Sequence, residues 1–476
     1  MRALLCVGAL VALAIWNGTG QGAHDVQRGP RPATRFGGLC AAWRLRASDS
    51  PLVIGCWATR GWVRTPLRLG VRAPGSVLVV GPTQSGKTTS LCAPLVAAWD
   101  GPVLAASVKG DLVALTAAGR RALGRVQVVA PELEGAAVFD PVALARTLPA
   151  ARAIARDLAV GTGAGSTGGD QEFWASLSAK LLAPLLFAAH RAGGTIETVA
   201  AWVDRRSIDE ALALLADDGS AADALVASFT RDDRTLGSVL ATVEAAIECL
   251  RAGDPVDPAA LLAGANTCYL SAPLHDQRRF RPMFAGLLRG VLAQAAVRAE
   301  RSAPCGLLVL LDEAASIAPI DELDQVAATC QGQGVTLVTV WQDLAQLVAR
   351  YGPKARTVVN NHTSRVLLGG LADPTLAEWL PTLTGPARVA GGGAAVVPEE
   401  LRQWPRGAAV LVAGRAAPLR VRLGARGPVP ARHRAGRAGS LRSPHGALRS
   451  LGSPLGRRPD AAVRRAARGR SGPPHP

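Results

Sequence analysis

The sequence predicts an α/β fold, a mainly parallel sheet covered by helices and interrupted by an all-α stretch. Three observations carry this expectation. Short β-type apolar runs alternate with helix-length stretches over residues 71–170, the pattern of crossover-connected parallel strands. The same alternation resumes over residues 263–425. Between them, residues 171–262 keep a helical pattern broken by acidic polar turns such as "ADDGSAAD" and "TRDDRT". With 476 residues and 49% apolar content, the chain is long enough for two or three domains and a substantial core.

The first element is "ALLCVGALVALAIW", Ala3 to Trp16, an uncharged apolar run of 14 residues. As a helix it is about 21 Å long, against a hydrocarbon core of about 30 Å. It is a candidate membrane anchor within residues 1–25; a signal-peptide core and a buried helix are the competing readings. Residues 26–70 form a basic segment, and between Val26 and Gly75 nine Arg face only Asp49. If the run spans a membrane, that side is cytoplasmic.

"SVLVV", Ser76 to Val80, is a buried strand, and "TTSLCAPLVAAW" is the helix after it. The loop between them carries the full glycine-rich phosphate pattern, Gly81, Pro82, Thr83, Gln84, Ser85, Gly86, Lys87, Thr88 and Thr89. Glycines let the backbone wrap closely, and a helix N-terminus favours an anion. Lys87 is the group to reach the terminal phosphates of ATP, and the Thr88 hydroxyl is a ligand for Mg²⁺. Next come "GPVLAAS" (Gly101 to Ser107), a helix over Leu112 to Leu123, and "VQVVA" (Val126 to Ala130). Gly163, Gly165 and Gly168 match a dinucleotide pattern, but a helical stretch precedes them in place of a strand, so they belong to a surface loop.

The helical part opens with "QEFWASLSAKLLAPLLFAAHRAG", Gln171 to Gly193. Strand character returns at Asn266 to Ala272, Gly306 to Ala314, Val335 to Val340 and Arg365 to Gly370. "AAVLVAG" and Pro418 to Gly424 close the sheet as a hairpin pair. The strand "LLVLLDEA" ends in Asp312 and Glu313. Asp312 is placed to hold Mg²⁺ and Glu313 to orient or deprotonate an attacking water; capping of the following helix is the simpler alternative. Gln342 ends the next strand, where it can sense a γ-phosphate, with a helix cap by Asp343 equally compatible with the spacing. Arg365 is a candidate arginine finger supplied to a neighbouring subunit, against the default of a surface ion pair.

Charge and cysteines complete the reading. The balance is +17, and from Arg426 onward twelve Arg accompany the single acid Asp460. Residues 426–476 therefore form a Pro-, Gly-, Ser- and Arg-rich tail expected to be disordered and to favour polyanions. The eight cysteines stand alone, with no C-x-x-C spacing, so neither zinc nor a disulfide framework is indicated.

The order "GPTQSGKTT", "SVKGDL", "FDP", "EFW", "LLDEAASI", "WQDLAQL", "YGPKARTVVNNHTSRVLLGG" and "ADPTLAEWL" resembles the type IV secretion coupling proteins, the TraG/TraD-like conjugation ATPases. The resemblance runs from about Val71 to Leu423. It implies a RecA-like P-loop motor interrupted by an all-α domain, anchored on the cytoplasmic side of the cell membrane by N-terminal helices. It further implies a homo-hexamer that uses ATP and Mg²⁺ to pass single-stranded DNA with attached protein to a secretion channel. By position, residues 81–88 match the Walker A loop, Asp312 and Glu313 the Walker B acids, and Gln342 the third ATPase motif. An FtsK/HerA-like duplex translocase and an ATP-assembled receptor with little hydrolysis are the competing functions.

Overall fold

The structure, a computed structural model, describes residues 42, 45, 52–58, 62–108, 110–162, 169–273, 276–315, 320, 322–385 and 396–424. The apolar run Ala3 to Trp16, the loop from Gly163 to Gly168 and the Arg-rich tail lie outside the described residues.

In chain order the strands are β1 (Leu52–Ala58), β2 (Arg64–Val71), β3 (Gly75–Val80), β4 (Val103–Ser107), β5 (Val126–Val129), β6 (Thr267–Ser271), β7 (Leu307–Asp312), β8 (Val335–Trp341), β9 (Ser364–Leu368), β10 (Ala408–Ala413) and β11 (Leu419–Arg422). They form one sheet in the order β2-β1-β11-β10-β9-β3-β8-β7-β4-β6-β5. From β9 across to β5 every pairing is parallel. From β9 out to β2 every pairing is antiparallel. The mainly parallel sheet is therefore as expected, and β10 and β11 are the closing hairpin. The antiparallel edge also contains β1 and β2, which the arginine content of residues 26–70 concealed. In the edge strand β2, Arg64 and Arg68 are exposed while Leu69 is buried, and charged residues on an edge strand discourage further strand pairing.

Helix α1 (Thr88–Ala98) follows β3, and α2 (Asp111–Arg121) follows β4. Between β5 and β6 lie α3 (Pro141–Leu144), α4 (Leu148–Thr162), α5 (Gly169–Arg191), α6 (Ile196–Asp204), α7 (Asp209–Leu214), α8 (Gly219–Phe229), α9 (Asp233–Ile247) and α10 (Pro258–Leu261). The acidic turns in this span are N-caps: Asp218, Asp232 and Asp257 accept from the backbone N–H of Ala221, Thr235 and Ala259, satisfying donors that a helix start leaves free. Within α5, the segment Glu172–Arg191 is long and apolar enough to cross a membrane by composition. Leu181, Leu182, Leu185 and Leu186 in it are wholly buried inside the fold, which is how a core helix uses such residues.

The remaining helices are α11 (Gln277–Glu300), α12 (Leu323–Thr329), α13 (Leu344–Tyr351), α14 (Ala355–Asn361), α15 (Pro374–Thr384) and α16 (Pro398–Gln403). Alternate residues of the central strands feed two cores. Leu78 and Val80 join the helical side with α5, α11, α13 and α14, while Val77 and Val79 belong to the other core with residues of α1, α2, β1 and β2. Strands buried on both faces are continuously apolar, which is why they were visible as uninterrupted runs.

Candidate active site

The phosphate loop leaves the carboxyl end of β3 and turns directly into α1. Gln84 has φ 60° and Gly86 φ 92°, so the loop is held in left-handed turns that a glycine adopts without strain. The Ser85 hydroxyl donates to the Pro82 carbonyl at 2.7 Å. Lys87 is buried, and its Nζ donates to the Gly81 and Pro82 carbonyls at 2.5 and 2.8 Å. The cation therefore sits inside the curve of the loop, on the backbone that bounds the phosphate cradle.

The first turn of α1, Thr88–Cys92, is π-wound, and the Ala93 N–H returns to the Thr88 carbonyl. An α-turn would pair the Ser90 carbonyl with the N–H of residue 94, but Pro94 has none. That carbonyl accepts instead from Gly424 N at 2.9 Å. One proline thus ties the helix that carries the loop to the end of β11.

The decisive contact joins residues 224 positions apart: Thr88 Oγ1 donates to Asp312 Oδ2 at 2.7 Å. Asp312 is buried at the end of β7. Glu313, half-buried, has φ 74°, an unusual conformation for a non-glycine residue that costs about 1–3 kcal/mol and concentrates at functional sites. Its neighbour Ala314 donates its N–H to the Val340 carbonyl, so the turn is fixed against β8. The strand order places β8 between β3 and β7. Trp341 pairs with Val80, and Val340 with Asp312, so Gln342 emerges at the carboxyl edge between the phosphate loop and the two acids. The capping reading of "WQDL" is met by Asp343, which caps α13 by accepting from Gln346 N, and Asp373 also accepts from Leu344 N and Ala345 N while capping α15. Gln342 is left at the edge without that duty.

Arg365 is not brought to this cluster. Its guanidinium donates to the Val359 and Asn360 carbonyls at 2.8 and 2.9 Å, closing the end of α14 on the side of the sheet where β9 begins. Burial lowers its pKa from the ordinary arginine value. Its partners are main-chain oxygens, and among the described residues it makes no surface ion pair.

Two features on the other flank were not assigned to the site from the sequence. Gly369 and Gly370 end "RVLLGG"; a Cβ at Gly369 would lie 2.7 Å from the Trp404 backbone, and one at Gly370 3.2 Å from Pro82. The pair lets the segment before β10 approach the loop. In that segment, Arg406 Nε stands 3.6 Å from the position a Cβ on Gly86 would take. Only sheet pairing between distant strands creates this proximity.

The oxygen pair of Thr88 and Asp312 suits a small hard cation accompanying a nucleotide, and the Gly86 cradle with buried Lys87 suits its phosphates. Among the described residues no group of three or more His, Cys, Asp or Glu could hold a resident metal.

Comparison with known proteins agrees with this architecture. Residues 47–250 match the family described as type IV secretory system conjugative DNA transfer, and residues 306–391 match the TraM recognition site of TraD and TraG. Together the two matches cover more than half of the chain. No curated protein matches the sequence significantly. The unbound bacterial conjugative coupling protein TrwBdeltaN70 superposes with a TM-score of 0.65 at 18% identity, covering 85% of this chain and 94% of its own. The plasmid coupling protein TrwB with the ATP analogue ADPNP gives 0.58 at 18% identity, covering 85% and 95%. TrwB with ADP and Mg²⁺ gives 0.59 at 19%, covering 85% and 96%. At these identities the likeness establishes the RecA-like fold.

Proposed function

We propose, from the premise that this chain belongs to the type IV secretion coupling proteins of conjugative DNA transfer, that it is a P-loop ATPase driving single-stranded DNA, with attached protein, into a secretion channel. The observation that carries the ATPase reading is the Thr88–Asp312 hydrogen bond. It joins the two oxygens that hydrolysis requires around one cation. The nucleotide complexes of TrwB with ADPNP and with ADP and Mg²⁺ support ATP and Mg²⁺ as the ligands here.

In this reading residues 81–89 cradle the phosphates through backbone N–H groups, and Lys87 turns from the loop carbonyls to the β/γ-phosphates. Thr88 and Asp312 hold Mg²⁺, directly or through water; bound there, Mg²⁺ offsets the phosphate charge. Glu313 accepts a proton from, or orients, the attacking water. Gln342, between the loop and the acids, detects whether the terminal phosphate is present. The sheet regions 71–170 and 263–425 act as the motor, and the helical region 171–262 is the place for cargo recognition. The protein works as a homo-hexamer on the cytoplasmic side of the cell membrane. The match of residues 306–391 to a TraM recognition site supports a protein partner on the second half of the motor.

The test is the ATPase rate of the full-length chain with and without single-stranded DNA, measured beside the mass of the assembled particle. Stimulation by DNA in a hexamer supports the motor. A monomer whose hydrolysis ignores DNA overturns it in favour of a receptor.

A further inference from the structure

We infer that Arg406 is a nucleotide-binding residue that acts within its own subunit on the diphosphate common to ATP and ADP. The inference rests on the nucleotide-binding reading and adds a ligand contact to it.

The arginines of this fold differ in how their guanidinium groups are used. Arg120 is buried and donates to Thr267 Oγ1 and to the carbonyls of Trp99, Gly101 and Ala265. Arg365 closes α14, and Arg64 donates to the Leu423 and Gly424 carbonyls. Arg406 is exposed. Its backbone carbonyl accepts from Arg422 at 3.1 Å, while among the described residues its guanidinium has no hydrogen bond or ion pair.

The main chain beneath that free head is firmly placed. Ala408 N donates to Pro405 O, Leu423 N to Gly407 O, and Gly369 N to Ala408 O. Trp404 is buried, meets Trp62 edge-on at 4.6 Å, and has the Arg420 guanidinium 5.1 Å from its ring centre. The Ser90 carbonyl freed by Pro94 clamps this hairpin to α1 through Gly424. A cation with no hydrogen-bond or ion-pair partner among the described residues thus lies 3.6 Å from the Cβ position of Gly86, beside a helix start whose N–H groups favour phosphate.

The flank decides which phosphate it meets. Asp312, Glu313 and Gln342 lie on the β8/β7 side of the loop, where the cation and the attacked terminal phosphate belong. Arg406 precedes β10, beyond β9 on the opposite side. A nucleotide whose terminal phosphate faces the acids extends its α-phosphate and nucleoside toward Arg406. The side chain therefore contributes equally to ATP and ADP and acts on retention more than on the chemical step.

The full-length chain, Arg406→Ala and Arg406→Lys are titrated with the fluorescent probes mant-ADP and mant-ATP, with single-stranded DNA affinity measured at the same salt. Arg406→Ala is expected to weaken both nucleotides by about tenfold or more, the size of a lost hydrogen bond to a charged group. KM for ATP rises by a larger factor than kcat falls. Arg406→Lys recovers part of the loss, since it keeps the charge without the fork. DNA affinity and the melting temperature without nucleotide stay at wild-type values. Unchanged mant-ADP affinity overturns the inference. Loss confined to mant-ATP also overturns it, by moving the contact to the γ-phosphate, and loss confined to DNA overturns it by assigning the charge to a DNA phosphate. A wild-type chain that binds neither probe overturns the nucleotide reading itself.

Discussion

On the β8/β7 flank of the phosphate loop, parallel strands end together and deliver Gln342, Asp312 and Glu313 directly from strand termini. On the β9/β10 flank the strands run antiparallel, and what reaches the loop is a turn: Gly369–Gly370 from one side, Arg406 and Gly424 from the other. The first flank is acidic and polar; the second is cationic. A parallel sheet concentrates chemistry at its carboxyl edge because every strand points there. An antiparallel pair brings to that edge whichever hairpin turns happen to close there.

The largest expected effect breaks the site outright. Lys87→Ala should reduce ATP hydrolysis by about a thousandfold or more, because an apolar stub cannot replace charge on the terminal phosphates. Glu313→Gln tests the acidic flank alone. It should retain mant-ATP binding while turnover falls by about 10²–10⁴, and wild-type turnover in this variant would remove Glu313 from the chemistry.

Gly86→Ala disturbs the loop itself and its cationic flank. The residue has φ 92°, and the new Cβ would lie 3.2 Å from Ser90 Oγ and 3.6 Å from Arg406 Nε. A loss of about 1–2 kcal/mol in stability, visible by thermal melting, should accompany weaker binding of both ATP and ADP. Normal ADP affinity would mean that the loop tolerates the added methyl.

Arg365→Ala sharpens the contrast between catalytic and structural cations. Two carbonyls at the end of α14 lose their donor, so stability should fall by about 1–2 kcal/mol, while turnover per folded molecule persists. Recovery of activity on mixing Arg365→Ala with Lys87→Ala protein would instead support a finger supplied to the neighbouring subunit.

The last effect is a pH slope that nearly cancels in the wild type. His362 is buried with Nδ1–H donating to the Val358 carbonyl and Nε2 facing the Thr339 hydroxyl. Burial holds its pKa down to about 4. The unfolded chain takes up this proton below about 6.5 and the folded chain does not, so stability falls with pH between about 6.5 and 4, by about 1.4 kcal/mol per unit. Asp157, in the helical layer against Arg289, has the opposite sense. Burial, only partly offset by Arg289, pushes its pKa up to about 6, so the folded form keeps a proton that the unfolded form loses, and stability declines as pH rises from about 4 to 6. The wild type should therefore be nearly flat between pH 4 and 6. Chemical denaturation of His362→Gln should uncover a decline with rising pH, and of Asp157→Asn a decline with falling pH; parallel curves for all three proteins would exclude both titrations.

By itself, the sequence determined the phosphate loop, the doubly buried strands, the acids ending β7, and the interruption of the sheet by helices. Each depends on spacing or periodicity within a few tens of residues, and the acidic turns were legible because an N-cap acts on the next turn of the chain. Tertiary structure decided the order in which strands lie side by side. That order put β8 between the loop and Asp312 and joined Thr88 to Asp312 across 224 positions. It also folded β1 and the arginine-bearing β2 into the sheet edge, where local composition had indicated only a basic segment. Arg365 and Arg406 show the limit most plainly. Both are single arginines whose immediate sequence does not say what the guanidinium meets, and one closes a helix while the other stands beside Gly86. A guanidinium acts on whatever lies within a few ångströms of it, and for a residue on a sheet those neighbours come from distant parts of the chain.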